Sequence, residues 1–309
     1  MNIKNNLVYP VESILYNVLF RCFLWRKPKY QKRYRVSICG IFKNEARFLK
    51  EWIEYHLMIG VDHFYMYDNN SEDAYLDVLQ PYIEQGTVTL IDWPYQQKQI
   101  EAYQDCFERF RQETQWLSFT DIDEFFVPHS HENMNDWIKG YERYPSILVY
   151  WKMFGTSGKM KHDFSQLVME QYTICHDRFG KQWGKCIINT DYDIAYYNQM
   201  THHYCCVKYP VAGIKVRAVP VNVFKRFVVG SVQWKCLDRF HKRSIQLNHY
   251  WSKAWDLYEE KRQRTDVYHL VNPKKDLRYF YDEECLNVSS DFTIFRFIMK
   301  LKIRLGGIV

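Results

Sequence analysis

The stretch RVSICGIFKNEARFLKEWIEYHLMIGVDHFYMYDNNSED, residues 35–73, decides the fold class. Its first part, 35–41, is a short apolar run typical of a β-strand, and 62–73 contains a second strand that ends in polar turn residues. The segment between them carries side chains at the i, i+3, i+4, i+7 spacing of one helix face: Leu49, Trp52, Ile53 and His56. Gly60 is expected to end this helix. The stretch therefore predicts a strand, a helix and a second strand with short connections.

The same alternation continues to residue 120. Residues 74–86 are predicted to form a helix, with Pro81 as an interruption or a boundary. A third strand is predicted at 87–94, a helix at 97–113 and a fourth strand at 116–120. Strands that alternate with helices usually pair in parallel. We therefore predict an α/β fold, Rossmann-like, with a mixed, mostly parallel central sheet.

The second half of the chain is less regular. A strand with a glycine-containing loop is predicted at 146–160, strands with histidine at their ends at 193–207 and 245–251, and a helix at 252–264. No internal repeat and no Pro/Gly/Ser-rich linker interrupts the chain, so a second separately folding domain is not expected.

Three segments are predicted from this pattern. Residues 1–34 form an N-terminal amphipathic and basic segment, 35–265 a single α/β domain, and 266–309 a C-terminal basic amphipathic segment. In the last of these, basic residues recur at i, i+4, i+8 beside an apolar arc: Arg296, Lys300 and Arg304 with Phe292, Phe295, Met299 and Ile303. This pattern is typical of a helix lying in a membrane surface, and a terminal helix packed on its own domain is the alternative.

Composition and charge narrow the function classes. The chain is globular in composition, 47% hydrophobic and 25% charged, and its formal net charge of +6 suits an anionic ligand or membrane surface. No basic stripe marks the central region, so no nucleic-acid partner is predicted. No run approaches the roughly 20 apolar residues of a membrane span. The nine cysteines lack metal-type spacing. We read them as reduced thiols and expect a cytoplasmic protein, with peripheral contact to the inner face of the membrane as a further expectation.

The segment WLSFTDIDEFFVP, residues 116–128, places carboxylates directly after a predicted buried strand. Asp121 and Asp123 are expected to share one face of extended backbone, with Ile122 turned into the fold. Two carboxylates on one face suit Mg²⁺ or Mn²⁺, which take substrate phosphates as further ligands. The alternative is a surface turn with solvated acids.

Polar residues also follow the other predicted strands. Asn44 and Glu45 come after the first strand, and residues 68–71 end the second. Because ligands of open α/β sheets bind beyond the carboxyl ends of the strands, these loops and the Asp-x-Asp segment are expected to share one site.

Four segments, taken in order, resemble glycosyltransferase family 92 and the related bacterial family-2-like transferases. They are ICGIFKNEARFLKEWIEYHLMIGVDHFYMYDNNSED, WLSFTDIDEFFVP, WKMFGTSGK and LNHYWSKAWDLYEEK, and the similarity covers residues 35–265. The resemblance implies a GT-A fold, a nucleotide-sugar donor (a UDP-sugar) and a divalent cation, Mn²⁺ or Mg²⁺. The chain is similar to a compact bacterial type, which leaves the donor sugar, acceptor and linkage open.

The resemblance also implies residue roles. Asp123 resembles the carboxylate that binds Mn²⁺, and Asp121 resembles the one that contacts the donor ribose or sugar, with a share in the metal site. Four further residues of this chain resemble donor contacts of the family: Asn44, Glu45, Asp68 and Gln99.

His249 resembles a late histidine that serves as a third metal ligand, and His202 and His203 compete for that role. Lys253, four residues after His249, is expected to stabilise the leaving diphosphate. Imidazole is an acceptable ligand for Mn²⁺ and a poorer one for Mg²⁺.

Transfer also needs a general base for the acceptor hydroxyl. The candidates are Asp163, Glu170 and Asp177, with Glu124 as a further one, and the sequence does not choose between them. If the resemblance holds, one displacement inverts the anomeric centre and one base suffices.

The leading hypothesis is a metal-dependent transferase that acts on a glycan or lipid-linked acceptor in surface polysaccharide synthesis. The alternatives are a metal-dependent phosphohydrolase or nucleotidyltransferase, and a non-catalytic glycan-binding module.

Overall fold

A computed structural model of the protein describes residues 9–24, 32–129, 131–177, 183–229, 243–263 and 275–306. Part of the basic cluster predicted in the N-terminal segment, namely Arg26, Lys27 and Lys29, lies outside the described residues, and so does Arg264 at the end of a predicted helix.

The main sheet is built from strands in both halves of the chain. Its strands are β1 (Tyr34–Phe42), β2 (His63–Asp68), β3 (Val88–Asp92), β4 (Thr114–Phe119), β5 (Glu124–Pro128), β6 (Ser146–Met153), β8 (Gly184–Asn189), β12 (Val221–Asn222) and β13 (Ile245–His249). Short strands outside it are β7 (Ile174–His176) and β14 (Asn287–Ser290), which pair together, and β9 (Asp193–Ile194), β10 (Val207–Val211) and β11 (Ile214–Ala218), which form a third sheet.

The strand order of the main sheet is β3-β2-β1-β4-β8-β6-β13-β5, with β12 beside β6. The pairs β1–β2, β2–β3, β1–β4, β6–β12 and β6–β13 are parallel, and β4–β8, β6–β8 and β5–β13 are antiparallel. This confirms the predicted α/β fold with a mixed, mostly parallel sheet. The Asp-x-Asp segment connects β4, in the middle of this order, with β5, which is its last strand.

The helices are α1 (Tyr9–Arg21), α2 (Ala46–Met58), α3 (Tyr75–Glu84), α4 (Gln99–Phe110), α5 (Met134–Lys139), α6 (Val168–Gln171), α7 (Trp255–Gln263), α8 (Leu277–Glu284) and α9 (Phe295–Arg304). The helices predicted between the first four strands are confirmed as α2, α3 and α4. Strand–helix alternation there follows from the two periods of the sequence, 2 for strands and 3.6 for helices.

Helix α2 fixes the strand that follows the acidic segment. The Trp52 indole N–H donates to the Glu124 carbonyl at 2.9 Å, and the Tyr55 hydroxyl donates to the Phe126 carbonyl at 2.7 Å. Both side chains are fully buried, so the hydrogen bonds are shielded from water. The predicted apolar face of α2 therefore holds β5, and with it one end of the Asp-x-Asp segment, in place.

Two details differ from the prediction. Helix α3 continues through Pro81, because Pro81 and the carbonyl-bearing residue four positions earlier, Asp77, are both exposed and water can replace the lost hydrogen bond. The predicted strand at 193–207 is mostly turn, since only Asp193–Ile194 pairs before the chain bends towards β10.

Helix α9 packs on the domain through Phe297, Ile298 and Leu301. The predicted basic stripe is used in contacts with the domain: Arg296 donates to the carbonyls of His129 and His131, Lys300 pairs with Glu132, and Arg304 pairs with Glu54. The predicted apolar arc of this helix remains on its exposed side. No helix among the described residues is long and apolar enough to span a membrane.

Candidate functional site

The Asp-x-Asp segment forms a turn between β4 and β5. The Glu124 backbone N–H donates to the Asp121 carbonyl at 3.1 Å, and Ile122 is buried beneath the turn. The prediction of extended backbone is therefore wrong, because the chain must reverse to reach β5, while the inward position of Ile122 is confirmed. The Tyr250 N–H donates to the Asp123 carbonyl at 2.9 Å and ties the turn to the end of β13.

A buried lysine neutralises one side of the turn. Lys185 Nζ lies 2.9 Å from Asp121 Oδ2 and 3.6 Å from Glu124 Oε2, and neither the Lys185 nor the Glu124 side chain is exposed. Burial opposes ionisation of Asp121, but Lys185 outweighs it and lowers the pKa of that carboxyl. Burial raises the pKa of Glu124 well above its ordinary value despite Lys185. Glu124 also accepts from the Trp151 indole at 2.7 Å, so it is part of the buried frame of the turn.

The other carboxylate meets a second lysine and a histidine. Asp123 Oδ2 lies 2.7 Å from Lys261 Nζ on α7, and Asp123 Oδ1 lies 3.5 Å from His249 Nε2 at the end of β13. Burial opposes ionisation, but Lys261 and His249 hold the pKa of Asp123 well below its ordinary value. Burial lowers the pKa of His249, so the imidazole favours the neutral form that binds metals.

Two side chains at the turn have the chemistry of ligands for a divalent cation. A carboxylate oxygen and a neutral imidazole nitrogen 3.5 Å apart have the chemistry and separation of two ligands of one Mn²⁺ ion, so Asp123 and His249 fit such an ion. Among the described residues, no group of three or more His, Cys, Asp or Glu side chains has metal-site geometry. Asp121 bonds Lys185 instead, and its place among the metal ligands stays a prediction.

Lys253 lies at the same site in an unusual backbone conformation. Its φ is 55°, in the left-handed region, and its side chain is buried with Nζ 4.5 Å from the centroid of the Phe48 ring. Burial lowers the pKa of Lys253, while the charges of Asp123 and Glu45 raise it. Left-handed backbone costs energy for a residue with a side chain, so the fold holds this ammonium near the acidic turn at some cost.

The loops that follow the first two strands are joined to each other by hydrogen bonds. The Asn44 N–H donates to Ser71 Oγ at 2.9 Å, and Asn44 Oδ1 accepts from the Glu72 N–H at 2.7 Å. Asp68, buried at the end of β2, accepts from the Ser71 N–H at 3.0 Å. Glu45 comes directly before α2 and acts electrostatically on both Lys253 and Lys261. These loops therefore share the carboxyl edge of the sheet with the acidic turn.

Gln99 reaches the acidic turn through a tyrosine. Gln99 Nε2 donates to the Tyr103 hydroxyl at 2.9 Å, and that hydroxyl is 3.4 Å from Asp121 Oδ1. The contact links α4 with the turn, as expected of a residue near a donor. It does not by itself make Gln99 a donor contact, which stays a prediction.

The two competing histidines lie beside the site in a buried stack. The rings of His202 and His203 are 3.9 Å apart, and the His203 ring is 5.1 Å from that of Trp151. Burial lowers the pKa of His203 to about 3 and that of His202 as well, so both rings are neutral. His249, which approaches Asp123, is the better placed metal ligand.

The base candidates are not gathered around the turn in the same way. Asp163 is exposed and accepts from the Ser165 N–H and hydroxyl, and these hydrogen bonds lower its pKa. Glu170 pairs with Lys302 of α9 at 2.8 Å. Asp177 is exposed at the end of β7, where its carbonyl lies 3.5 Å from Lys152 Nζ. The general base stays undetermined among these candidates.

The sequence that forms this site matches a known protein family. The sequence model of Glycosyltransferase family 92 matches residues 32–279. The chain belongs to glycosyltransferase family 92.

Individual relatives are similar to parts of the chain. A family 92 protein of Ricinus communis is 28% identical over 247 residues, which cover 78% of this chain and 40% of that protein. A galactan beta-1,4-galactosyltransferase of Arabidopsis thaliana is 30% identical over 139 residues, 41% of this chain and 28% of that protein. The chain therefore spans less than half the length of these curated relatives. The crystal structure of S. aureus TarS 1-349 has a TM-score of 0.36 and 14% identity, over 50% of this chain and 47% of that chain.

Sequence reasoning missed three residues of this family 92 site: Lys185, Lys261 and Trp151. A lysine within the apolar segment GKCIIN of β8 was the available signal, because a buried ammonium needs a carboxylate partner. Lys261 had no comparable signal, because it lies on α7 and its contact with Asp123 spans 138 residues.

Proposed function

We propose that this family 92 chain transfers a sugar from a UDP-sugar to a glycan or lipid-linked glycan in surface polysaccharide synthesis, with a divalent cation. The observation that carries the proposal is the meeting of Asp123, His249, Lys253 and Lys261 at the carboxyl edge of the sheet. This edge is where nucleotides bind in open α/β folds. The name of the Arabidopsis relative makes UDP-galactose the first donor to test.

The chain supplies binding, orientation and charge for this reaction. Asp123 and His249 would hold the cation, which when bound neutralises negative charge on the donor diphosphate. Lys253 is buried near Asp123 with its ammonium 4.5 Å from the centroid of the Phe48 ring, so it can meet the charge that develops on the leaving diphosphate. Lys261 would serve the same end if Asp123 held the cation.

The nucleotide is assigned to the interlocked loops. Asn44 and Asp68 hold these loops in one conformation through Ser71, so ribose and uracil would meet a rigid surface. Asp121, which is 35% exposed, can reach the donor sugar or ribose while it keeps its contact with Lys185.

Transfer then requires that the acceptor hydroxyl lose a proton to a carboxylate as it attacks the anomeric carbon. A single displacement of this kind inverts the anomeric centre. Asp163→Asn, Glu170→Gln and Asp177→Asn, assayed in parallel, identify the base as the variant that loses turnover while retaining UDP binding. If none of the three does so, the base lies elsewhere.

The test of the proposal is thermal melting of the wild type and Asp123→Asn with UDP, GDP and CDP, each with and without Mn²⁺. A ligand at 100 times its dissociation constant adds about 2.7 kcal/mol to the native state. We expect a Mn²⁺-dependent rise with UDP that Asp123→Asn loses and that Asp77→Asn, a change on the exposed side of α3, retains.

Other outcomes would point to other functions. No shift with any nucleotide in a folded protein would refute the donor site and favour a glycan-binding module. Hydrolysis of the nucleotide or a phosphoester without a sugar acceptor would favour a phosphohydrolase or nucleotidyltransferase.

A further inference from the structure

Among the described residues, none covers one apolar face of helix α1. One side of the helix is held: Phe20 is buried with its ring 5.2 Å from that of Tyr209, and Asn17 Oδ1 accepts from the Phe227 N–H at 2.9 Å. The other side carries three large apolar side chains that are more than 60% exposed: Ile14, Val18 and Leu19. Three such side chains within two turns of one helix mark an interaction surface.

A cationic cavity adjoins the end of this helix. It has a volume of about 660 Å³, and its lining includes Arg21 of α1 together with Lys139, Arg143 and Lys225. The lining contains one acid, Glu142, and that side chain pairs with Arg35 at 2.6 Å. The cavity therefore presents net positive charge beside an apolar helix face.

We propose that this surface docks on a bilayer containing anionic lipid. The apolar face of α1 enters the boundary between headgroups and acyl chains, and the cavity cations meet lipid phosphates. An apolar stripe flanked by lysine and arginine is how helices bind in the plane of such membranes. A second copy of the chain in a two-fold arrangement fits less well, because it would bring two cationic cavities towards each other.

The docking surface lies near the amino-terminal end of β1, and the donor site lies beyond the carboxyl ends of the parallel strands. Glu142 of the cavity pairs with Arg35 at the start of β1, whereas the Asp-x-Asp turn follows the end of the parallel neighbour β4. The nine residues of β1 correspond to roughly 30 Å. The donor site thus stays open to solution when the protein is docked, and vesicle binding can be tested independently of the proposed function.

The experiment is co-sedimentation of the full chain with vesicles of phosphatidylcholine alone and vesicles enriched in phosphatidylglycerol. We expect binding to the anionic vesicles that weakens as salt is added. Val18→Asp with Leu19→Asp should reduce binding at least ten-fold. Arg143→Glu with Lys225→Glu should reduce it at least about 25-fold, since each cation near an anionic leaflet contributes about five-fold and the new carboxylates are repelled by the lipid phosphates.

The controls place equivalent changes on other exposed sites. Val288→Asp changes a side chain that is 73% exposed on β14, and Lys50→Glu changes an exposed lysine on α2; both should bind vesicles like the wild type. Asp123→Asn should also bind normally, because it affects only the donor site. Absence of wild-type binding, or α1 variants that are folded by circular dichroism and bind undiminished, would overturn the docking proposal and leave the donor-site proposal intact.

Discussion

Replacing Lys185 with methionine should destabilise the protein more than any surface lysine change. The variant keeps most of the side-chain volume but removes an ammonium 2.9 Å from Asp121 and 3.6 Å from Glu124. With an effective dielectric constant of about 20, the attraction to Asp121 is worth about 6 kcal/mol, and the attraction to Glu124 would add about 5 kcal/mol only when that buried acid is ionised. The energy of removing Lys185 from water, several kcal/mol, and the screening of the partly exposed Asp121 reduce this sum. We expect a net loss of about 3–5 kcal/mol, the usual cost of breaking a buried pair.

Urea unfolding followed by tryptophan fluorescence measures the loss. The matched control is Lys215→Met, because Lys215 pairs with Asp193 at a similar distance of 2.8 Å but is 64% exposed. That change should cost less than about 1 kcal/mol. The double variant Lys185→Met/Glu124→Gln should recover part of the loss, since the glutamine oxygen can still accept from Trp151 and the fully buried acid at position 124 no longer lacks a cation. A Lys185→Met loss below about 1 kcal/mol would refute the reasoning.

Two further predictions concern other parts of the molecule. Gly184→Ala should lower the free energy of unfolding in urea by about 3 kcal/mol or more, because the added Cβ would lie 1.9 Å from the Val149 carbonyl oxygen. In the control Gly213→Ala the added Cβ meets no atom within 4 Å, and the change should cost about 1 kcal/mol because φ is 87° there. Burial raises the pKa of Glu51 to about 7, so the folded state keeps a proton that the unfolded state loses near pH 4.3. The contribution of Glu51 to stability therefore falls as the pH rises from about 4.3, the unfolded pKa, to about 7, the folded pKa. Glu51→Gln should flatten the dependence of the urea midpoint on pH over this range.

Lys261→Met should raise the affinity of the protein for Mn²⁺ alone by about ten- to a hundred-fold. The lost hydrogen bond to a charged group is worth about 1.5–3 kcal/mol and no longer competes for Asp123. Electron paramagnetic resonance of free Mn²⁺ measures this affinity. An unchanged affinity would show that Lys261 does not compete with the ion.

The first half of the fold could be predicted because its elements are local. The sequence of helix α2 places Leu49 and Trp52 on one face. The apolar runs of the neighbouring strands are too short to form helices. Residues 193–207 could not be predicted in the same way. Their apolar and aromatic side chains, including the buried Cys205 and Cys206, fill the core from a turn, and composition alone does not separate a buried turn from a strand.

The acidic residues of the site and His249 could be predicted, whereas two lysine partners of these acids could not. Asp121 and Asp123 stand together in the sequence beside an apolar strand. Lys185 and Lys261 lie 64 and 138 residues away and reach the turn through an antiparallel strand and a late helix. The turn itself could not be predicted from local sequence. It forms because β5 pairs with β13, and no local pattern indicates that long-range pairing.

The charges around the turn nearly cancel before a donor binds, and this bears on how ligands enter. Three carboxylates face three ammonium groups: Asp121, Asp123 and Glu124 with Lys185, Lys253 and Lys261. Burial favours the protonated form of Glu124, while the nearby Glu45 acts on Lys253 and Lys261, so the local charge is close to zero. A nucleotide diphosphate alone would leave the site negative, and a divalent cation alone would meet the ammonium of Lys261. Arriving together, the two balance each other and free Lys261 for the diphosphate. Each ligand should therefore strengthen the binding of the other, and by linkage the factor must be the same in both directions.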